Sequence, residues 1–204
     1  MIIMHHLRVG RAIFTTWLLE ELGVPYELRL YDRDARRRAP PELKLAHPLG
    51  KSPVIEDGGV TLAESGAITT YLLETYDLDG HLSPSPNNRA EWMTYLQWLH
   101  YSEASAFAPL LLNLLLTRED PKPPIVSGFA AGETKLHLDY LEQALEGRDF
   151  ILGDSLSGAD FGCGNIANMA GRLKLLENHP NIAAYAERLT QRPAFQRALA
   201  KTGG

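Results

Sequence analysis

The chain has 204 residues, 45% of them apolar and 22% charged, with a formal net charge of −5. That length supports one large or two small domains with real cores, and the acidic balance excludes a bulk field that would draw nucleic acid or an anionic membrane. The single cysteine, Cys163, excludes an intramolecular disulfide and CxxC dithiol chemistry, and fits a reducing compartment such as the cytoplasm.

No basic region followed by an apolar stretch opens the sequence, so no signal peptide is expected. Met1 to Leu7 reads as a short apolar strand containing His5 and His6. Ala12 to Leu22 has helical spacing, with Ile13, Trp17, Leu18 and Leu22 available for one face, and Gly23 and Pro25 mark its end. Tyr26 to Tyr31 is a second strand. Arg36-Arg37-Arg38 is the only basic run and reads as a solvated turn. Pro40-Pro41 precedes a helical turn through Leu43 and Leu45.

The segment Leu49 to Ile68, LGKSPVIEDGGVTLAESGAI, carries the most information. A loop ending in Pro53 enters a short strand at Val54-Ile55. Asp57-Gly58-Gly59 turns the chain into a second strand, Val60-Thr61-Leu62, a hairpin signal between apolar runs. Glu64-Ser65-Gly66 then opens a helix carrying Ala67, Ile68, Tyr71 and Leu72 to about Tyr76. The first N–H groups of such a helix have no internal partner and its dipole end is positive, so a carboxylate is welcome there. A cis bond at Pro53 is one of two options. It would turn the backbone of Val54 outward, where an extended peptide could pair with it. The order β-α-β-α-β-β-α builds a parallel pair followed by an antiparallel hairpin.

Residues 78–88 lack an apolar period and form a linker between a 1–77 domain and an all-helical 89–204 domain. Asn88 can cap a long helix with Trp92, Tyr95, Leu96 and Leu99 on one stripe. Phe107 to Leu116, interrupted by Pro109 and Asn113, is about half of the ~20 residues a membrane span needs and reads as a buried helix. The chain breaks at Asp120 to Pro124, and Gly132 to Leu145 forms the next helix. Ser157-Gly158-Ala159-Asp160 is a capping box, flanked by Leu156 and Phe161, for a helix running to about Leu176. Pro180 precedes a final helix. No internal repeat or low-complexity tract is visible.

These motifs resemble the cytosolic glutathione transferase family of the bacterial and fungal type. HHL at 5–7, WLLEELGVPYEL at 17–28 and SGADF at 157–161 extend the resemblance over nearly the whole chain. It implies a thioredoxin-like N-terminal domain, an all-helical C-terminal domain, glutathione as co-substrate, no metal and a homodimer built on a two-fold axis. It also implies that Pro53 is cis, that Val54 pairs with the cysteinyl backbone of glutathione, that Glu64 and Ser65 hold the γ-glutamyl end, and that Lys51 holds the glycyl carboxylate. Glu103 is similar to an acidic residue that reaches the γ-glutamyl amine of a neighbouring subunit in some relatives. Tyr101 and Phe107 are candidates for an apolar pocket taking the second substrate, with core packing as the competing reading of each.

A free thiol has a pKa of about 8.5, and lowering it two units requires about 2.7 kcal/mol of preference for thiolate. Family members usually supply this from a Tyr, Ser or Cys after the first strand. The corresponding loop here, Leu7 to Ala12, has neither hydroxyl nor thiol, and Gly10 stands where related bacterial sequences carry Ser. A charged hydrogen bond is worth about 1.5–3 kcal/mol and a helix N-terminus about 0.3–1 kcal/mol. Arg11, helped by backbone N–H groups near Gly10, is therefore the expected thiolate partner, with Arg8 in the same loop. Thr15 and Thr16 lie a turn inside the helix and are expected to pack or bond their own backbone. Cys163 reads as a buried small residue. The histidines show no metal-ligand spacing, and His5 and His6 face opposite sides of a strand. Three functions follow: conjugation of glutathione to a small apolar electrophile, a glutathione-dependent peroxidase or disulfide reductase, and a non-catalytic binding module of the same fold. No nucleic acid or membrane partner is expected.

Overall fold

The computed structural model describes residues 1–203 and divides them into two compact units, 1–82 with 190–203, and 83–189. The first begins with β1 (Ile2–Leu7), α1 (Ala12–Leu22) and β2 (Tyr26–Tyr31). Gly23 ends α1 in the left-handed conformation, φ +64°, that glycine adopts without steric cost. A single turn, α2 (Leu43–Ala46), follows, then β3 (Val54–Asp57), β4 (Val60–Ala63) and α3 (Ser65–Tyr76). The sheet order is β2-β1-β3-β4, parallel between β1 and β2 and antiparallel elsewhere. This is the parallel pair with an antiparallel hairpin expected from the element order, and the thioredoxin-like arrangement that the family resemblance implies. Met4, Trp17, Leu18, Ile55, Ile68 and Leu72 form its buried core.

Helix α9 (Pro193–Thr202) belongs to this unit, although the sequence reading placed the whole C-terminus with the helical domain. Phe195 packs on Phe14 and Trp17 of α1. Around that apolar contact, Glu20 binds Arg197 at 3.0 Å and Lys201 at 2.5 Å, and Glu21 binds Arg192 at 2.5 Å. One final helix was expected after Pro180. There are two, α8 (Pro180–Thr190) and α9, because Pro193 cannot continue a helix but fits the first turn of a new one.

In the second unit, α4 (Arg89–Tyr101) passes through a π-helical turn, Ser102–Ala106, into α5 (Phe107–Leu116). Asn88 occupies the N-cap position of α4, but its amide donates to Glu91 at 2.7 Å rather than capping the backbone. Helix α6 (Pro124–Ala144) starts a full two turns before the expected Gly132, since Pro124 suits a first turn and buried Ala130, Thr134, Leu138 and Leu141 form one stripe. Helix α7 (Gly158–Arg172) stops before the expected Leu176, where Lys174 turns left-handed at φ +59°. Its capping box is present. Asp160, fully buried, accepts from the Ser157 N–H and hydroxyl at 2.7 and 2.8 Å, and from Ile151 N–H and Tyr185 at 2.9 and 2.8 Å. Cys163 is buried, and burial holds its thiol well above the ordinary range, as expected for a packing residue.

Candidate functional site

Strand register brings three segments to one end of the sheet. Val54, the first residue of β3, is paired with His5 near the C-terminal end of β1 and with Ala63 at the end of β4. The loop after β1, the turn around Pro53 and the start of α3 therefore lie side by side. The Ser52–Pro53 bond is cis, as is Asp120–Pro121. Val54 has its side chain buried and a Cα register partner in β1 and in β4, directly after the cis bond. The backbone ahead of the ladders is that of Lys51 and Ser52.

Ser52 escaped the sequence reading, although it sits inside the motif directly before the proline. Its hydroxyl donates to the His5 carbonyl at 2.8 Å and accepts the Leu7 N–H at 3.0 Å, tying the proline turn to β1.

At the next corner, Glu64 occupies the N-cap of α3 with φ +72°, a conformation that L side chains adopt rarely and that recurs at ligand clamps. Ser65 is the first helical residue rather than the cap. The Ser65 hydroxyl, the Glu64 carboxylate and the Lys51 ammonium have no partner among the described residues. Glu64 and Lys51 are exposed, and Ser65 is half-buried. The first N–H groups of α3 add orphan donors beside them.

The loop after β1 differs from its sequence reading in one member. Arg8 is committed to structure: its Nε donates to the Thr202 carbonyl at 2.9 Å, and its Nη1 pairs with Asp32 at 2.8 Å. The expectation that Arg8 could serve a thiolate is thereby withdrawn. Arg11 stands at the N-cap position of α1, half-buried, and Gly10 precedes it. Thr16 donates to the Ala12 carbonyl at 3.2 Å and faces His6 Nδ1 at 2.9 Å, so its hydroxyl is used inside the unit. Burial, then the Arg8 charge, lower the pKa of His6 to about 4 and keep it neutral. His5, on the opposite face, sits between Tyr31 at 2.8 Å and Glu56 at 2.6 Å, a network absent from the sequence reading because it joins three strands.

The other predicted residues lie in the second unit. The Tyr101 hydroxyl donates to the His137 carbonyl at 3.1 Å and meets its Nδ1 at 2.9 Å, while the ring packs with Trp98 and Tyr140. Burial raises the Tyr101 hydroxyl well above the usual phenol range. This aromatic cluster favours the packing reading of Tyr101. Glu103 lies in the π-helical turn and Phe107 opens α5, both half-buried. Among the described residues no group of three His, Cys, Asp or Glu side chains is placed to hold a metal, and no helix is long and apolar enough to cross a membrane.

A thioredoxin-like unit with a proline turn facing an acidic-Ser helix start, joined to an all-helical unit, defines a class. Residues 2–74 match the model for the glutathione S-transferase N-terminal domain, and residues 112–202 match that for the C-terminal domain. Glutathione S-transferase 3 of Schizosaccharomyces pombe is 36% identical over 173 residues, 78% of this chain and 70% of its own. A crystal structure of a glutathione S-transferase from Actinobacillus pleuropneumoniae is 36% identical with TM-score 0.91, over 100% of this chain and 94% of that one. The glutathione transferase URE2P6 of Phanerochaete chrysosporium, solved in complex with oxidized glutathione, is 26% identical with TM-score 0.84, over 99% and 96%. The chain belongs to the glutathione S-transferase family, a family of enzymes.

Proposed function

We propose that this protein binds glutathione at the sheet end formed by Lys51, Ser52–Val54, Glu64 and Ser65, and conjugates its thiolate to a small apolar electrophile. The observation that carries this reading is the set of unpartnered groups at that end: an ammonium, a carboxylate, a hydroxyl and orphan helix N–H groups. Their chemistry suits a peptide with a carboxylate at each end and an ammonium at one. Lys51 would take the glycyl carboxylate. Ser65 and the N–H groups of α3 would take the γ-glutamyl carboxylate, and Glu64 its ammonium. The cysteinyl backbone would lie against the chain entering β3.

The thiol would then sit at the loop after β1, where Arg11 and the loop N–H groups favour thiolate. The sulfur lone pair attacks the electrophilic carbon, the bond to the leaving group breaks, and the displaced group carries the electron pair away. The thiol proton leaves to solvent beforehand. The absence of a hydroxyl or thiol from Leu7 to Ala12 favours one second reading, in which the bound thiolate attacks a hydroperoxide or a mixed disulfide. That chemistry needs only a stabilised thiolate. In either reading the protein works in the cytoplasm as a homodimer, with Glu103 contributing toward a neighbouring subunit and Phe107 toward the second substrate.

Turnover of glutathione against aryl halides, epoxides, conjugated carbonyls and hydroperoxides tests the assignment. Conjugation lost in Arg11→Ala supports transfer with Arg11 as thiolate partner. Reaction confined to hydroperoxides supports the second reading, and no turnover with any acceptor despite glutathione binding contradicts both.

A further inference from the structure

Arg33 lies at the surface just beyond β2, and its guanidinium reaches back over the loop after β1. Its Nε meets the carbonyl oxygens of Arg8 and Val9 at 3.2 and 3.3 Å, and its Nη2 meets the Val9 oxygen at 3.2 Å. Its Nη1 donates to the Arg37 carbonyl at 3.0 Å, which anchors the side chain at its far end. Two successive carbonyls are thus drawn to one side by one cation.

A trans peptide is planar, and its C=O and the following N–H point in opposite directions. Fixing the Arg8 and Val9 oxygens on Arg33 therefore turns the N–H groups of Val9 and Gly10 to the opposite side together. Neither N–H has a partner among the described residues. Val9 is β-branched and held at φ +56°, a conformation such a residue leaves unless its surroundings hold it there. Gly10 completes the arrangement: a Cβ at that position would stand 3.2 Å from Arg33 Nη2, inside normal contact. A side chain at residue 10 and the Arg33 grip compete for one space. The glycine that removes a hydroxyl from this loop also admits the guanidinium.

We propose that Arg33 is a positioning residue for the sulfur, turning the Val9 and Gly10 N–H groups onto the thiolate in place of the hydroxyl the loop lacks. This rests on the glutathione-binding reading above. Arg33 touches neither ligand nor reacting atom and acts through backbone it orients. Paired backbone donors aimed at an anion form the kind of concavity that holds negative charge.

The test uses wild type, Arg33→Ala and Arg33→Lys. The thiol pKa of bound glutathione is read from the pH dependence of thiolate ultraviolet absorbance, and the Kd of S-methylglutathione, which has no thiol, from calorimetry. Arg33→Ala should raise the thiol pKa by about one unit, roughly a tenfold loss of thiolate below that pKa. S-methylglutathione should bind as it does to wild type. Arg33→Lys keeps a charge but not the planar fork, so its thiol pKa should stay raised. An unchanged pKa in Arg33→Ala, full rescue by lysine, or equal weakening of both ligands would overturn the proposal. Wild type failing to bind glutathione would overturn the binding reading along with it, and is recognised by the loss of both ligands before any substitution.

Discussion

Arg8 joins the two ends of the first unit: its Nε donates to the carbonyl of Thr202, 194 residues away, at 2.9 Å. That carbonyl belongs to the last turn of α9, where helix oxygens lack internal partners and a cation is favoured by the dipole. The same side chain pairs with Asp32. The loop that faces the proposed thiol site is thus fastened to the closing helix of its own unit.

Arg8→Ala should therefore destabilise the unit by about 1–2 kcal/mol, discounted for the partial exposure of the pair. In thermal denaturation this corresponds to a lower Tm by about 2–4 °C per kcal/mol. An unchanged Tm would show that the clasp contributes nothing.

His6 gives a pH dependence of known sign. Its pKa falls from 6.5 to about 4 in the fold, so the unfolded chain binds the extra proton between those values. Stability should be full above pH 6.5 and decline as pH falls toward 4, by about 3 kcal/mol in all. His6→Gln, which keeps a polar group facing Thr16, should flatten that part of the Tm–pH curve.

Asp57 acts at lower pH. It closes the β3–β4 hairpin and accepts from Tyr71 at 2.9 Å and from Tyr76. Donation from Tyr76 lowers its pKa below 3.8 despite opposing burial. Its contribution is present above that value and lost as pH falls through the depressed one. Asp57→Asn should lower Tm at pH 7, and the gap from wild type should close in strong acid.

Gly162 and Ser102 form the tightest approach in the second unit. A Cβ on Gly162 would lie 2.2 Å from Ser102 Oγ, itself a buried hydroxyl with no partner. Gly162→Ala should cost about 1–3 kcal/mol through overpacking. Adding Ser102→Gly removes the obstructing atoms and should recover part of the loss, as a double-mutant cycle by denaturant titration would show.

Sequence revealed the first unit well where local rules act. The Asp57-Gly58-Gly59 turn, the Gly23 stop, the position of Ser65 at a helix start and the Ser157–Asp160 box each depend on a few neighbouring residues. It failed where distant contacts decide. Pro180 and Pro193 look alike in sequence, yet only packing of Phe195 on Trp17 assigns α9 to the first unit. Gly128 and Gly132 hid the early start of α6, whose stripe is stabilised by α5. Arg8 reads as a cation available in the loop after β1, and Arg33 draws no reading at all. Only the fold shows one spent on Thr202 and the other on the Val9 carbonyl. Ser52 was readable but passed over beside the more conspicuous Pro53.

The central claim is that glutathione binds at the start of α3, and calorimetric titration of wild type and Ser65→Ala with glutathione tests it most directly. Saturable binding should weaken in the variant by about 1–2 kcal/mol, roughly a five- to thirtyfold rise in Kd. Absence of wild-type binding at millimolar glutathione, or equal affinity in both proteins, would contradict it.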